Sequence, residues 1–187
     1  QLLKTTYSVE ISAYVERVQD ISVPFPPTFF SREMVDSTAV RCPSDEVASK
    51  MIQRIETVRD EGDTVGGSIV VVAKNVPAGW GEPVFDKLNA DLAKALMSIP
   101  AVKALEIGSG FSGTLMRGSE HNDEFVSGKS DGAVIETSSN RSGGIQGGIS
   151  NGEEIVIRIG FKPVATIKKI QNTVNRDGEE ITVSGKG

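Results

Sequence analysis

A glycine-rich segment flanked by basic side chains has the residue types that best suit anion binding. Between Asn140 and Gly152 four glycines fall in two pairs, and such pairs let the backbone turn its N–H groups toward a ligand. Residues 141–169 include five basic and two acidic side chains, an excess of three in a chain whose net charge is −5. This favours a phosphorylated ligand, although a glycine-rich hairpin packed close to another backbone gives the same pattern. The basic residues are Arg141, Arg158, Lys162, Lys168 and Lys169.

Two nucleotide-binding motifs are nearly matched. Residues 108–113 satisfy G-x-G-x-x-G, but a dinucleotide needs a helix directly after that turn, with its N-terminus at the pyrophosphate. Only four residues separate the motif from Gly118, so we expect no such helix. A nucleotide-binding oxidoreductase module is therefore the less favoured alternative. Residues 123–130 lack only the first glycine of a P-loop, and the aspartate there would repel a phosphate, so we predict no P-loop.

The only histidine and the only cysteine add little further chemistry. No pattern supplies a nucleophile that His121 could activate, and we expect a loop histidine that bonds to the backbone rather than a general base. Cys42 precedes a helix start, which can lower a thiol pKa, but we expect a buried structural cysteine. The two residues lack the spacing of metal ligands, so we predict no metal site.

The composition limits the class of protein. The 187 residues include 20 Lys or Arg and 25 Asp or Glu, which excludes nucleic-acid binding through overall charge. No apolar run approaches the roughly 18 residues of a membrane helix, so we expect no membrane partner. A lone cysteine suits a reducing compartment, and we expect a cytoplasmic protein, with a plastid as the open alternative. The length predicts one domain over 1–187, with an irregular, proline-rich connection at 18–44.

Apolar periodicity predicts the elements that position these segments. Alternation predicts a half-buried strand over 7–15, with Glu10, Ser12 and Tyr14 on the polar side. Helical spacing predicts amphipathic helices at 45–61 and 84–98 that pack on the sheet. In the second helix Phe85 and Leu88 belong to the apolar stripe. Further strands are predicted over 68–73, 101–107, 133–135 and 155–161.

Two of these strands are alike in their context. The apolar runs that begin at Ile69 and Ile155 each follow a Gly-Gly pair, and each reaches a proline, Pro77 or Pro163, eight residues after its first residue. A duplicated strand-and-turn unit explains this echo, although apolar strands that end in proline are common.

Five motifs taken together resemble the chorismate synthase family. They are GEPVFDKL at 81–88, EIGSGF at 106–111, GSEHND at 118–123, the segment 140–152 and Lys162-Pro163, in the order and near the spacing of that family. The resemblance covers about residues 40–187. It implies an α+β fold, a sandwich of antiparallel sheets and helices with intertwined internal repeats, assembled as a homotetramer.

The resemblance also implies an activity. The family converts 5-enolpyruvylshikimate 3-phosphate to chorismate by 1,4-anti elimination of phosphate and a proton, a lyase step of the shikimate pathway to aromatic amino acids. It uses reduced FMN that is not consumed overall, and NADPH would be needed only by an enzyme that reduces its own flavin. By resemblance, the flavin contacts fall on eight residues. They are Pro100, Ala101, Gly147, Lys162, Pro163, Val164, Ala165 and Thr166.

Physical chemistry supports these flavin positions. A glycine nest and a lysine can hold the flavin phosphate, and positive charge favours the reduced, anionic ring. We expect residues 143–152 and 162–166 to lie together at one ligand-facing edge, because the strand over 155–161 joins them.

The family's catalytic groups have no match in this chain. Its two catalytic histidines and a substrate-binding arginine segment precede the matched region, and its flavin-proximal acid follows it. We therefore expect the central core of a longer enzyme, with no catalytic residue in residues 1–187. The alternative is a catalytically incomplete assembly fragment that binds flavin weakly.

Overall fold

A five-stranded antiparallel sheet lies at the centre of the computed structural model, which describes residues 2–128 and 135–185. The strands are β1 (Glu10–Val18), β2 (Ile21–Ser22), β3 (Gly67–Lys74), β4 (Val102–Ile107), β5 (Phe125–Ser127), β6 (Ile135–Thr137), β7 (Ile145–Gln146), β8 (Ile149–Ser150), β9 (Ile155–Phe161), β10 (Gln171–Val174) and β11 (Glu180–Val183). In space the central sheet has the order β2-β1-β3-β9-β4. The pairs β5-β6, β7-β8 and β10-β11 are separate hairpin-like sheets. The strand predicted at 133–135 lies mostly outside the described residues.

The helices are α1 (Leu2–Tyr7), α2 (Arg32–Asp36), α3 (Asp45–Asp60), α4 (Leu88–Met97) and α5 (Gly118–His121), with a 3-10 helix at Gly110–Leu115. Of these, α3 and α4 pack against opposite faces of the central sheet. The predicted helix at 45–61 is confirmed as α3. The Ser44 hydroxyl accepts a hydrogen bond from the Val47 N–H at 3.4 Å and so caps the first turn of this helix. Within the described ranges, no helix has the length and apolarity needed to cross a membrane.

The start of α4 differs from the prediction. The helix begins at Leu88 rather than at residue 84, because a β-bridge between Glu82 and Asp86 closes the preceding residues into a loop. Phe85 lies in that loop and is 89% exposed, so its placement in the apolar stripe was wrong. Leu88 and Leu92 do pack on the sheet, as predicted.

The buried face of β1 is the reverse of the predicted one. Tyr14 and Glu16 are buried, whereas Ile11 is 59% exposed. Tyr14 packs edge-on against Phe30, with ring centroids 5.2 Å apart, so the proline-rich segment supplies core residues for this face. That segment is irregular as predicted, apart from β2 and α2. Apolar Ile11 is left uncovered because α4 packs beside β4, away from β1.

Each face of the sheet has its own hydrophobic cluster. Under α3 the fully buried side chains include Tyr14, Met51, Val70 and Val72. The other cluster packs Leu88, Leu92 and Leu96 of α4 against the sheet. Its buried members are Val9, Val76, Val102, Ile145, Ile155, Ile157 and Ile159. The predicted packing of both helices on the sheet is therefore confirmed.

The two strands whose sequences share a preceding Gly-Gly pair and a following proline are neighbours in the central sheet. β3 and β9 pair antiparallel along their length, from Gly67 opposite Phe161 to Ala73 opposite Ile155. Helices combined with an antiparallel sheet confirm the α+β class. That β3 and β9 are copies of one unit stays a prediction.

Candidate functional site

The predicted flavin contacts lie at opposite ends of β4 and β9. At one end, here called the lysine end, the Lys162 N–H donates a hydrogen bond of 2.9 Å to the Ala101 carbonyl. At the other, the glycine end, the Val156 N–H reaches the Gly143 carbonyl at 3.4 Å, and Gly147 lies beyond it. The intervening strand separates the two ends by roughly 20 Å. The prediction that residues 143–152 and 162–166 lie together at one edge is therefore wrong within one chain.

The lysine end is an open surface. All five residues from Lys162 to Thr166 are exposed, and the Lys162 Nζ contacts only the neighbouring Pro163 carbonyl, at 3.2 Å, among the described residues. The Thr64 hydroxyl donates to the Val164 carbonyl at 2.6 Å and anchors the middle of the stretch. Ala101 adopts a left-handed backbone with φ of +70°, which turns the chain into β4. This end offers a lysine and backbone groups, and Val164 and Thr64 border a cavity of about 490 Å³ that is lined largely by apolar side chains.

The glycine end borders a cavity of about 460 Å³. Its lining residues are Asn89, Ile107, Ser109, Gly110, His121, Arg141, Ser142, Ile145, Gln146, Gly147 and Gly148. Gly147 and Gly148 form the two-residue turn between β7 and β8, with φ of +61° and +89°, a conformation that favours glycine. The Leu88 N–H donates to the Gly148 carbonyl at 2.8 Å, which ties this turn to the first residue of α4.

A buried aspartate holds the chain at the entrance to this turn. Asp123 is 3% exposed, and its carboxylate accepts hydrogen bonds from the Ser139 hydroxyl at 2.6 Å and from the Arg141 and Ser142 N–H groups at 2.8 Å. Burial acts to raise the pKa of Asp123, but these hydrogen bonds outweigh it and hold the pKa below its usual value. Sequence reasoning missed this role, because the partners lie 16 to 19 residues away without any pattern.

His121 bonds to a side chain rather than to the backbone, contrary to the expectation. Its Nε2 lies 2.9 Å from the Ser109 hydroxyl, and both residues line the cavity. Among the described residues no carboxylate bonds to the other ring nitrogen, so the pair lacks the third member of a nucleophilic triad. Ser109 belongs to the G-x-G-x-x-G match, and the short 3-10 helix after it confirms that no dinucleotide-binding helix follows.

Arg158 is not available to a ligand. It lies on the α3 face, where its Nε contacts both carboxylate oxygens of Glu16, at 2.9 and 2.8 Å, and its Nη1 contacts Glu106 at 3.1 Å. The Ser68 hydroxyl also donates to Glu16, at 2.8 Å. Burial acts to raise the pKa of Glu16, but the bonds from Arg158 and Ser68 overcome it and lower the pKa. Lys169 is likewise paired, with Asp63 at 2.8 Å, so the basic excess read from the sequence overstates the charge left for a ligand.

The cysteine prediction is confirmed. Cys42 is 0% exposed in the cluster under α3, and burial raises the pKa of its thiol. Its environment is that of a structural core residue.

The fold has a close match among solved structures. A chain described as "Crystal Structure of Chorismate Synthase" superposes with a TM-score of 0.77 and 30% sequence identity, over 87% of this chain and 52% of that one. The molecule is thus an α+β protein with the architecture of that enzyme class.

Sequence comparison agrees with the structural match. The family model described as chorismate synthase matches residues 1–187, and the chain belongs to that family. Curated chorismate synthases of Prochlorococcus marinus (strain MIT 9515) and Microcystis aeruginosa (strain NIES-843 / IAM M-2473) are 57% and 55% identical over all 187 residues. The chain spans about half the length of these relatives, 51% and 50%.

Proposed function

We propose that this chain is the core of a chorismate synthase, a lyase that eliminates phosphate from 5-enolpyruvylshikimate 3-phosphate to give chorismate in the shikimate pathway. The observation that carries the proposal is the match of the whole chain, residues 1–187, to the chorismate synthase family. Geometry adds support, since Ala101 and Lys162, two positions assigned to the flavin by resemblance, meet through a hydrogen bond of 2.9 Å.

Reduced FMN is the proposed cofactor, and the residues present fit it in part. Lys162 and Thr166 would face its anionic groups at the lysine end, with Pro100 and Ala101 beside them. Gly147 has open space where a side chain would stand. It lies roughly 20 Å from Lys162 in the same chain, so a contact of Gly147 with the same flavin would have to come from another subunit of the proposed assembly. When bound, reduced FMN supplies the electron-rich ring that the family uses in the elimination. NADPH would serve only to reduce that flavin.

The chain's own residues bind and orient rather than move the proton. Lys162 contributes an exposed positive charge, and Asp123 fixes the backbone that leads to Gly147. His121, engaged with Ser109, is not proposed as the catalytic acid or base. The alternative, a catalytically incomplete assembly core, differs only in its activity as an isolated chain.

We also propose assembly as a homotetramer. Several large apolar side chains are exposed in the single chain, as expected for surfaces that contact further polypeptide. They include Ile11 at 59%, Phe111 at 74%, Leu115 at 89% and Phe125 at 67%.

The test is an anaerobic assay of chorismate formation with reduced FMN, together with FMN titration. In the full-length protein, Lys162→Gln should raise the Kd of FMN about 10- to 100-fold, because a charged hydrogen bond is lost. Lys94→Gln, an exposed lysine of α4, is the matched control and should leave the Kd unchanged. The isolated 187-residue chain should not form chorismate. Turnover by the isolated chain at the full-length rate, or an unchanged Kd in Lys162→Gln, would contradict the proposal.

A further inference from the structure

One asparagine stands in the sequence context in which an amide side chain is most easily lost. Asn151 is followed by Gly152, and this is the only Asn-Gly step in the chain. The two residues lie in the bend between β8 and β9, where Gly152 is exposed and has φ of +95°. Glycine has no Cβ, so nothing on that residue hinders an approach of its main-chain nitrogen to the Asn151 side chain. The sequence therefore provides an unhindered main-chain nitrogen next to an amide carbon.

The hydrogen bonds of the Asn151 amide favour attack on its carbon. The Glu153 N–H donates to the Asn151 Oδ1 at 3.1 Å, and this bond stabilises the negative charge that develops on that oxygen when the carbon is attacked. The Nδ2 is buried and has no hydrogen-bond partner among residues 2–128 and 135–185. A buried donor without a partner makes the intact amide costly, and no contact retains the nitrogen that would leave.

The group that would attack is also free. The Gly152 N–H has no acceptor in the described part of the chain, and the residue is exposed, so hydroxide from the solvent can remove its proton. The Asn151 N–H, by contrast, donates to the Gly144 carbonyl at 3.1 Å and keeps the asparagine in place. A fixed amide carbon is thus followed by a main-chain nitrogen that no described group engages.

Two other asparagines of the same part of the chain lack this combination. Asn140 and Asn175 also accept a main-chain N–H at their Oδ1, at 2.7 and 2.9 Å. Their Nδ2 atoms are bonded, however, to the Glu154 carbonyl in one case and to the Glu179 carboxylate in the other, at 2.8 Å in each. Both asparagines are followed by arginine rather than by glycine. The free leaving nitrogen and the open nucleophile therefore distinguish Asn151 from these two.

We propose that Asn151 is a site of spontaneous deamidation. The Gly152 nitrogen loses its proton to hydroxide and attacks the Asn151 side-chain carbon, so that a new C–N bond closes a succinimide ring. The bond from that carbon to Nδ2 breaks, and the nitrogen takes up a proton from water and leaves as ammonia. Water then opens the ring at either carbonyl to give aspartate or isoaspartate. No group is oxidised or reduced, and the only co-reactant is water.

The reaction would change the structure of the glycine end. Either product places a new carboxylate in a bend that already holds Glu153 and Glu154, and isoaspartate also lengthens the main chain between β8 and β9. Ser150, the residue before the bend, is buried, and its hydroxyl donates to the Pro77 carbonyl at 2.6 Å. Added charge and added length therefore fall directly beside packed residues, and we expect the glycine end to loosen as the protein ages.

The test follows the full-length protein over time by peptide mapping with mass spectrometry. The peptide that contains Asn151 should gain one mass unit and separate into two products. The rate should rise about 10-fold per pH unit above neutrality, because the deprotonated fraction of the amide rises by that factor. In water enriched in a heavy oxygen isotope, each product should carry one labelled oxygen. The peptides that contain Asn140 and Asn175 are controls within the same sample and should keep their mass.

Further samples separate the effect of the fold from that of the sequence. Folded protein should lose the Asn151 amide at least as fast as protein unfolded in urea. Asn151→Gln, whose side chain would have to close a larger ring, should give no acidic product, whereas Asn175→Gln should leave the reaction unchanged. Asn151→Asp, which carries the charge of the product, should unfold at a lower urea concentration than the wild type, and an unchanged midpoint would contradict the expected loosening. An intact Asn151 peptide in folded protein, or a loss confined to the urea sample, would overturn the proposal whether or not Asn151→Gln folds.

Discussion

The glycine end and the lysine end carry similar chemistry in different settings. At the glycine end a buried carboxylate, a helix start and a left-handed turn hold the backbone around a cavity. At the lysine end a similar number of binding groups lies exposed on an irregular stretch anchored by Thr64. The difference shows that many contacts within the protein hold the backbone of the glycine end, whereas the proposed binding groups of the lysine end have few contacts of their own.

The largest effect should come from the carboxylate that organises the glycine end. Asp123→Ala removes the buried carboxylate that the N–H groups of the half-buried Arg141 and Ser142 donate to, so we expect a loss of about 3 kcal/mol in the free energy of unfolding. Urea denaturation measures this loss, with Asp177→Ala, an exposed aspartate, as the control. A loss as small as the control's would mean that the glycine end is no better ordered than the lysine end.

Part of that stabilisation should depend on pH. Because the folded pKa of Asp123 lies below its unfolded value of about 3.9, its contribution is present above that pH and is lost as pH falls through the folded pKa. Urea unfolding of the wild type and of Asp123→Asn between pH 7 and about 3 should therefore converge at the acid end. Parallel curves would show that the charge of Asp123 does not act on the glycine end.

Alanine substitutions at the two glycines of the β7–β8 turn should lower stability by smaller amounts that can be compared with each other. Gly147→Ala and Gly148→Ala both place a side chain at positive φ, which costs about 1 to 2 kcal/mol. At Gly148 the new Cβ would also lie 2.5 Å from Lys87 Cγ, whereas at Gly147 it meets nothing within 4 Å. We expect Gly148→Ala to be the more destabilising by about 0.5 to 1 kcal/mol in the same denaturation assay. The reverse order would contradict the close packing of the turn.

The smallest effect on stability should come from the lysine end. Lys162→Gln removes an exposed side chain, so the free energy of unfolding should change by no more than about 0.5 kcal/mol, whereas we expect weaker FMN binding at the proposed flavin site. Thermal unfolding without flavin measures the first quantity. A large shift would show that Lys162 is part of the folded framework, and the contrast between the ends would disappear.

Strong local signals allowed much of the fold to be predicted from sequence. α3, β3, β4 and β9 match their predictions because each has a long apolar period and a clear stop in glycine or proline. The buried face of β1 was not predictable in this way. The side of β1 that carries Tyr14 and Glu16 is buried because Phe30 covers Tyr14 and Arg158 neutralises Glu16. Both partners are distant from β1 in sequence.

The sequence predicted the two ends of the candidate site but not how far apart they lie. Glycine pairs and basic residues identified both ends, but their separation depends on β9 being one continuous extended strand. Asp123 and Ser109 carried no recognisable signal, since their roles come from partners brought close by the fold.

The ionic contacts of Arg158 have a consequence for strand alignment. Glu16, Ser68, Arg158 and Glu106 stand on β1, β3, β9 and β4, so one set of contacts spans four adjacent strands. A slip of β9 by one residue would turn Arg158 to the face of Ile157 and leave two carboxylates without a counterion. Misaligned pairings of the same apolar strands are therefore disfavoured by charge as well as by packing, and the network fixes the register of these four strands relative to one another.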